Sequence, residues 1–129
     1  MELKGRIIRA GKAEGEALKS DSPLSFFGCI DPETGTITEE GHELQGNSVK
    51  DKILIFPHGK GSTVGSYSLY RLKKNNCAPA AIVNQECEPI VAVGAIISDI
   101  PCLDRVDISK ISNGDKVIID NDSIIIEDG

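Results

Sequence analysis

The sequence predicts an α/β fold with a mixed sheet, either α/β or α+β in connectivity. Three observations carry the expectation. The apolar run Ile53–Phe56 is followed at once by a glycine turn and a stretch of helical period. A second apolar run, Ala78–Asn84, follows that helix and completes a β-α-β unit with parallel strands. Many short strand-like runs flank this unit, so that the terminal strands could close the sheet into a barrel. There is no internal repeat and no low-complexity linker, and residues 1–129 are expected to form one domain.

In chain order, Glu2–Ala10 carries Leu3, Ile7 and Ile8, with Gly5 interrupting. Gly11-Lys12 makes a turn, and Ala13–Lys19 returns as a second strand. Leu24–Ile30 holds the adjacent Phe26 and Phe27, which would point to opposite faces of a strand; either both are core or one meets a partner protein. Asp31–Gly35 is dense in turn formers, and the polar stretch to Ser48 has neither period, so a long loop is expected, with Glu39, Glu40 and a solvated His42. The helix runs from Val64 to about Lys74, with Arg71, Lys73 and Lys74 in its last turns, where cations complement the dipole, and Asn75-Asn76 ends it. Pro89 opens one or two helical turns over Ile90–Ala95. From Ile96 to Pro101 the pattern is strand-like, and Asp104–Asp115 is polar. Lys116–Asp120 and Ser123–Glu127 flank Asn121-Asp122 as a hairpin.

Composition narrows the function. Hydrophobic residues make up 40% and charged residues 26%, an ordinary globular balance. Aromatics are only 4%, so the core must be aliphatic. A net charge of −6 argues against nucleic acid or an anionic membrane as partner. No apolar segment reaches the ~18 residues of a membrane span. Met1–Arg6 does not read as a signal peptide, so a cytoplasmic location is expected. The cysteines Cys29, Cys77, Cys87 and Cys102 form no C-x-x-C pair; they read as small, reduced, buried hydrophobes rather than metal ligands.

The chemistry concentrates in Pro57-His58-Gly59-Lys60-Gly61-Ser62-Thr63. A phosphate-binding loop needs lysine after its second glycine, whereas Lys60 lies between the two. The dinucleotide fingerprint fails because Val64 takes the place of its last glycine. A nucleophile elbow fails too: Gly61 directly precedes Ser62, and no histidine follows to act as base. What remains is a hydroxyl at the positive start of a helix. Ser62 is then either an N-cap or a base whose alkoxide is favoured by amide N–H groups, the dipole and a nearby cation. Such a base could take a proton α to a carboxylate if another group received the leaving hydroxide, and no such group is visible in this chain.

The blocks Phe26–Gly35, Lys52–Pro57, Gly59–Tyr67, Ala78–Asn84 and Gly94-Ala95-Ile96-Ile97, in this order, resemble the small subunit of the aconitase X family over nearly the full length. The resemblance implies a swivelling β/β/α domain, a compact barrel like the mobile domain of aconitases. It also implies a hydro-lyase active only with a large catalytic subunit, which would carry a [4Fe-4S] cluster; none is expected in this chain. The implied reaction dehydrates (R)-5-phosphomevalonate to trans-anhydromevalonate 5-phosphate in an archaeal mevalonate route. Ser62 maps onto the family's proton acceptor. Lys60 becomes an anion contact, Gly59 and Gly61 shape the oxyanion environment, and Thr63 lies beside them as a further substrate-binding candidate. Three alternatives stand beside this one: another hydroxy acid such as hydroxyproline as substrate, a non-catalytic lid, and a phosphate-carrier domain using His58.

Overall fold

The computed structural model describes residues 1–26, 28–60 and 65–127. Its eleven named elements are β1 (Glu2–Lys4), β2 (Arg6–Arg9), β3 (Lys12–Lys19), β4 (Ile53–Phe56), α1 (Gly65–Lys74), β5 (Ala81–Asn84), α2 (Pro89–Ile97), β6 (Cys102–Asp104), a 3-10 turn (Ile108–Lys110), β7 (Lys116–Asp120) and β8 (Ser123–Glu127). The strands form one mixed sheet in the order β1-β8-β7-β3-β4-β5-β6-β2. Pairing is parallel across β3-β4-β5-β6 and antiparallel elsewhere.

The parallel strands are buried on both faces, which explains why they are apolar without alternation. On β4, Leu54 and Phe56 face the core under the two helices, while Ile53 and Ile55 face a second core beneath β7 and β8. β5 divides in the same way, Ile82 to the helices and Ala81 and Val83 to the far side. Each such large side chain contributes about 2 kcal/mol by leaving water. The expected hairpin is present: Asp120 faces Ser123, and Asn121 supplies the left-handed residue (φ 54°) of its tight turn.

β1 and β2 stand at opposite margins of the sheet yet are joined by Gly5 alone. Residues 2–9 are thus one strand bent at Gly5, its first half on β8 and its second on β6, which rolls the sheet toward the expected barrel. A bidentate pair fastens the second half: Arg6 Nε and Nη2 donate to the Asp104 carboxylate at 2.9 and 2.8 Å. Burial alone would push that carboxyl up, but the Arg6 and Cys87 N–H hydrogen bonds hold it below the usual carboxylate range.

Three expectations are corrected. Ile96 and Ile97 are not strand but the end of α2, because the Glu88 cap and Pro89 start a helix that packs Val91, Gly94 and Ala95 inward until Asp99 turns left-handed. The strand follows later, as β6. Among its described residues, Leu24–Ile30 makes only isolated bridges, Leu24 to Gly59 and Ile30 to Ile37, not a strand. Phe26 is core, its ring edge-on to Phe56 at 6.0 Å, while Phe27 lies outside the described residues. The polar stretch to Ser48 is the long loop expected, with turns and single bridges, but its His42 is not solvated: Ile37 and Leu44 enter the helix-side core together with the flanking Ile30 and Val49, and the His42 side chain is 2% exposed.

A Cβ on Gly5 would lie 2.8 Å from Val106 Cγ2 and 3.0 Å from the Asp104 carbonyl oxygen, so the bend requires glycine. Gly5→Ala is expected to destabilise the fold by about 1–3 kcal/mol, read as a lowered denaturation midpoint; an unchanged midpoint would mean that the seam yields freely.

Candidate functional site

Ligand sites of sheets with parallel strands lie beyond the strands' carboxyl ends, and the glycine turn is placed there, directly after Phe56 at the end of β4. Its first half is held on three sides. Leu24 N–H donates to the His58 carbonyl and Lys60 N–H to the Leu24 carbonyl, so the chain before the turn is laid parallel beside it. From β5, the fully buried Asn84 donates its Nδ2 to the Phe56 carbonyl at 2.9 Å, and the Pro57 carbonyl accepts from Gln85 and Glu86. From α2, Glu88 approaches so closely that a Cβ on Gly59 would sit 2.7 Å from its Oε1.

The two helix starts differ in charge. Glu88 caps α2 itself, Oε1 accepting from Val91 N–H at 2.8 Å and Oε2 from Ile90 N–H at 3.3 Å, so that dipole is already met by a carboxylate. The first turn of α1 contains no acidic residue, and Arg71, Lys73 and Lys74 stand at its other end. Among the described residues, α1 is therefore the helix whose N-terminal end lacks an acid of its own. Its buried face, Gly65, Leu69 and Leu72, is the narrow one that the spacing predicts.

Of the predicted site residues, Gly59 and Lys60 lie together at the turn, whereas Gly61, Ser62 and Thr63 fall outside the described residues. His58 is exposed, and its Nδ1 lies 2.9 Å from the Gly59 carbonyl oxygen; since a carbonyl only accepts, Nδ1 carries the proton. Lys60 has a partner that the sequence did not disclose. Its Nζ donates to Glu39 Oε1 at 2.7 Å. That hydrogen bond holds the ammonium above the usual lysine range despite the opposing effect of burial. Glu39 Oε2 is buried with no hydrogen-bond partner among the described residues, 3.8 Å from His42 Nε2. His42 Nδ1 accepts from Leu44 N–H at 3.0 Å, which leaves Nε2 as the donor toward the Pro23 carbonyl at 3.3 Å. The only sequence signal for this cluster was an acidic pair and a histidine inside a long segment lacking either period.

The Sγ atoms of Cys87 and Cys102 are 3.9 Å apart, and all four cysteines are free thiols. The hydrogen bond with Cys87 and burial both push the Cys102 thiol up, away from the thiolate that ligates metal. Among the described residues, no three His, Cys, Asp or Glu side chains gather where they could hold a metal ion. An iron–sulfur cluster needs three or four converging ligands, so the residues described here do not fit one. Nor is any described helix long and apolar enough to cross a membrane.

The aconitase X swivel-domain family matches residues 2–128. The phosphomevalonate dehydratase small subunit of Thermococcus kodakarensis is 59% identical, the alignment covering 100% of this chain and 99% of that protein. The small subunit of the same name from Methanococcoides burtonii is 54% identical over 98% of this chain and 95% of its own length. Among solved structures, the holo-form crystal structure of Thermococcus kodakaraensis aconitase X superposes with a TM-score of 0.97 at 55% identity, covering 99% of each chain. The mixed sheet with two helices found here is the swivel-domain architecture that the sequence blocks led us to expect. By sequence over its whole described length and by fold, this chain belongs to the aconitase X swivel-domain family.

Proposed function

We propose that this chain is the small subunit of a phosphomevalonate dehydratase, a hydro-lyase that works only when joined to a large catalytic subunit. The observation that carries the reading is the end-to-end similarity to proteins of that name, 59% and 54% identical with no large segment unmatched on either side. On this reading residues 1–129 act as one domain in the cytoplasm, and any iron–sulfur cluster belongs to the large subunit. The substrate is (R)-5-phosphomevalonate and the product trans-anhydromevalonate 5-phosphate.

The reaction removes a hydrogen from the carbon α to the carboxylate and the hydroxyl from the neighbouring carbon. Ser62 takes the proton: its alkoxide accepts H⁺, the C–H electron pair becomes the new C=C bond, and the C–O bond breaks to release hydroxide; the proton then passes from the Ser62 hydroxyl through solvent to that hydroxide, so that one water leaves and the alkoxide is restored. A serine is a poor base in water, so its surroundings must favour the charged form. Support comes from the neighbourhood of its place in the chain. Three residues after it begins a helix with no acid in its first turn. Gly59, Gly61 and Thr63 are assigned to substrate binding, and Lys60 contacts an anionic group of the substrate.

In the reconstituted two-subunit enzyme, Ser62→Ala is expected to lower turnover by about 10³-fold or more while assembly persists. Near-normal turnover would reduce Ser62 to a helix cap. Gly59→Ala is expected to drive a methyl group into the Glu88 carboxylate and Val91, where a Cβ would approach Val91 Cγ2 to 2.6 Å. That displacement of the turn should cost about 1–3 kcal/mol of stability and at least tenfold in turnover, measured by thermal denaturation and by steady-state rates.

A further inference from the structure

Lys60 and Glu39 come from segments that no sequence motif connects, yet their charged ends meet at 2.7 Å beside the glycine turn. We propose that Glu39 is a positioning residue, whose carboxylate fixes the Lys60 ammonium at one point and thereby sets how tightly the anionic end of the substrate is held. The inference rests on the reading of this turn as substrate-binding.

An exposed lysine–glutamate pair ordinarily contributes little, because two long side chains must be ordered to make it. This pair is built differently. The Lys60 side chain is 45% exposed, but that of Glu39 is only 21% exposed, with one oxygen wholly buried. Its carboxylate stands against His42, and both nitrogens of that ring are engaged, one by Leu44 N–H and the other by the Pro23 carbonyl. Leu44 anchors the segment in the core, and Leu24, next to Pro23, is paired with Gly59 and Lys60. The carboxylate, the imidazole and the turn are therefore parts of one packed body, and the ordering of the lysine is completed when the chain folds. A cation placed in advance binds without losing rotamer freedom at that moment.

The geometry also leaves the lysine available. Glu39 accepts one of the three ammonium N–H bonds, so two can be directed at a substrate oxygen. Among the described residues the buried Oε2 has no hydrogen-bond partner, a cost that packing alone does not explain, since an apolar side chain would fill the same space without it. A contact made equally in ground and transition states changes KM and leaves kcat alone.

The test is a double-mutant cycle on the reconstituted enzyme with (R)-5-phosphomevalonate. Glu39→Gln keeps the volume and removes the charge; Glu39→Asp keeps the charge and withdraws it by one methylene. Each is expected to raise KM about tenfold with kcat within twofold, and neither should change KM further when Lys60 is already methionine. In the ¹⁵N-labelled full chain, the Lys60 ammonium resonance should shift and broaden in Glu39→Gln. Equal KM changes in both backgrounds, an unchanged KM, a loss confined to kcat, or an unmoved Lys60 resonance would each overturn the proposal. Failure of the serine reading appears elsewhere, as retained turnover in Ser62→Ala, and the Lys60 resonance does not depend on it.

Discussion

Everything at the glycine turn depends on β4 being sealed on both faces. Four consecutive apolar side chains alternate between two cores, and neither core closes without the other. A strand fixed in this way has one register and one height in the sheet, because slipping by one residue would exchange the whole set between the cores. The turn leaves that strand at Pro57, and the hydrogen bonds from Asn84, Gln85 and Glu86 carry the rigidity of β5 into its first residues. Rigidity passes from packing to backbone, and from backbone to the side chains placed on it.

The electrostatics follow from the same arrangement. Two helices lie side by side on one face of the sheet, yet Glu88 occupies the start of α2, while α1 presents no acid in its first turn. A difference of one carboxylate directs where a negative charge can be held at this end of the molecule. Lys60, at the glycine turn, adds a cation paired with Glu39 at 2.7 Å.

Much of the fold was legible because its signals are local. A strand broken by Pro57, glycines, hydroxyls and then a helical period can be read within fifteen residues, and so can a hairpin about Asn121-Asp122. The errors arose where distant packing overrode local preference. Ile96 and Ile97 favour strand by their branching, but the cap at Glu88 and the close fit of Gly94 against α1 extend the helix through them. The stretch from Asp31 to Lys50 looks soluble because its apolar residues are sparse, and only folding brings Ile37, Leu44 and Val49 under one roof. The site was half legible for the same reason: Lys60 stands out beside its glycines, whereas Glu39 gains meaning only from where that segment folds.

The bent strand at Gly5 has a consequence for how other proteins can approach. Each lateral margin of the sheet is a strand of three or four residues that turns away into the other, too short a template for a foreign strand to extend. Docking to this domain therefore falls to side chains at the strand ends and along the helices. Contacts of that kind separate and re-form without breaking a backbone ladder.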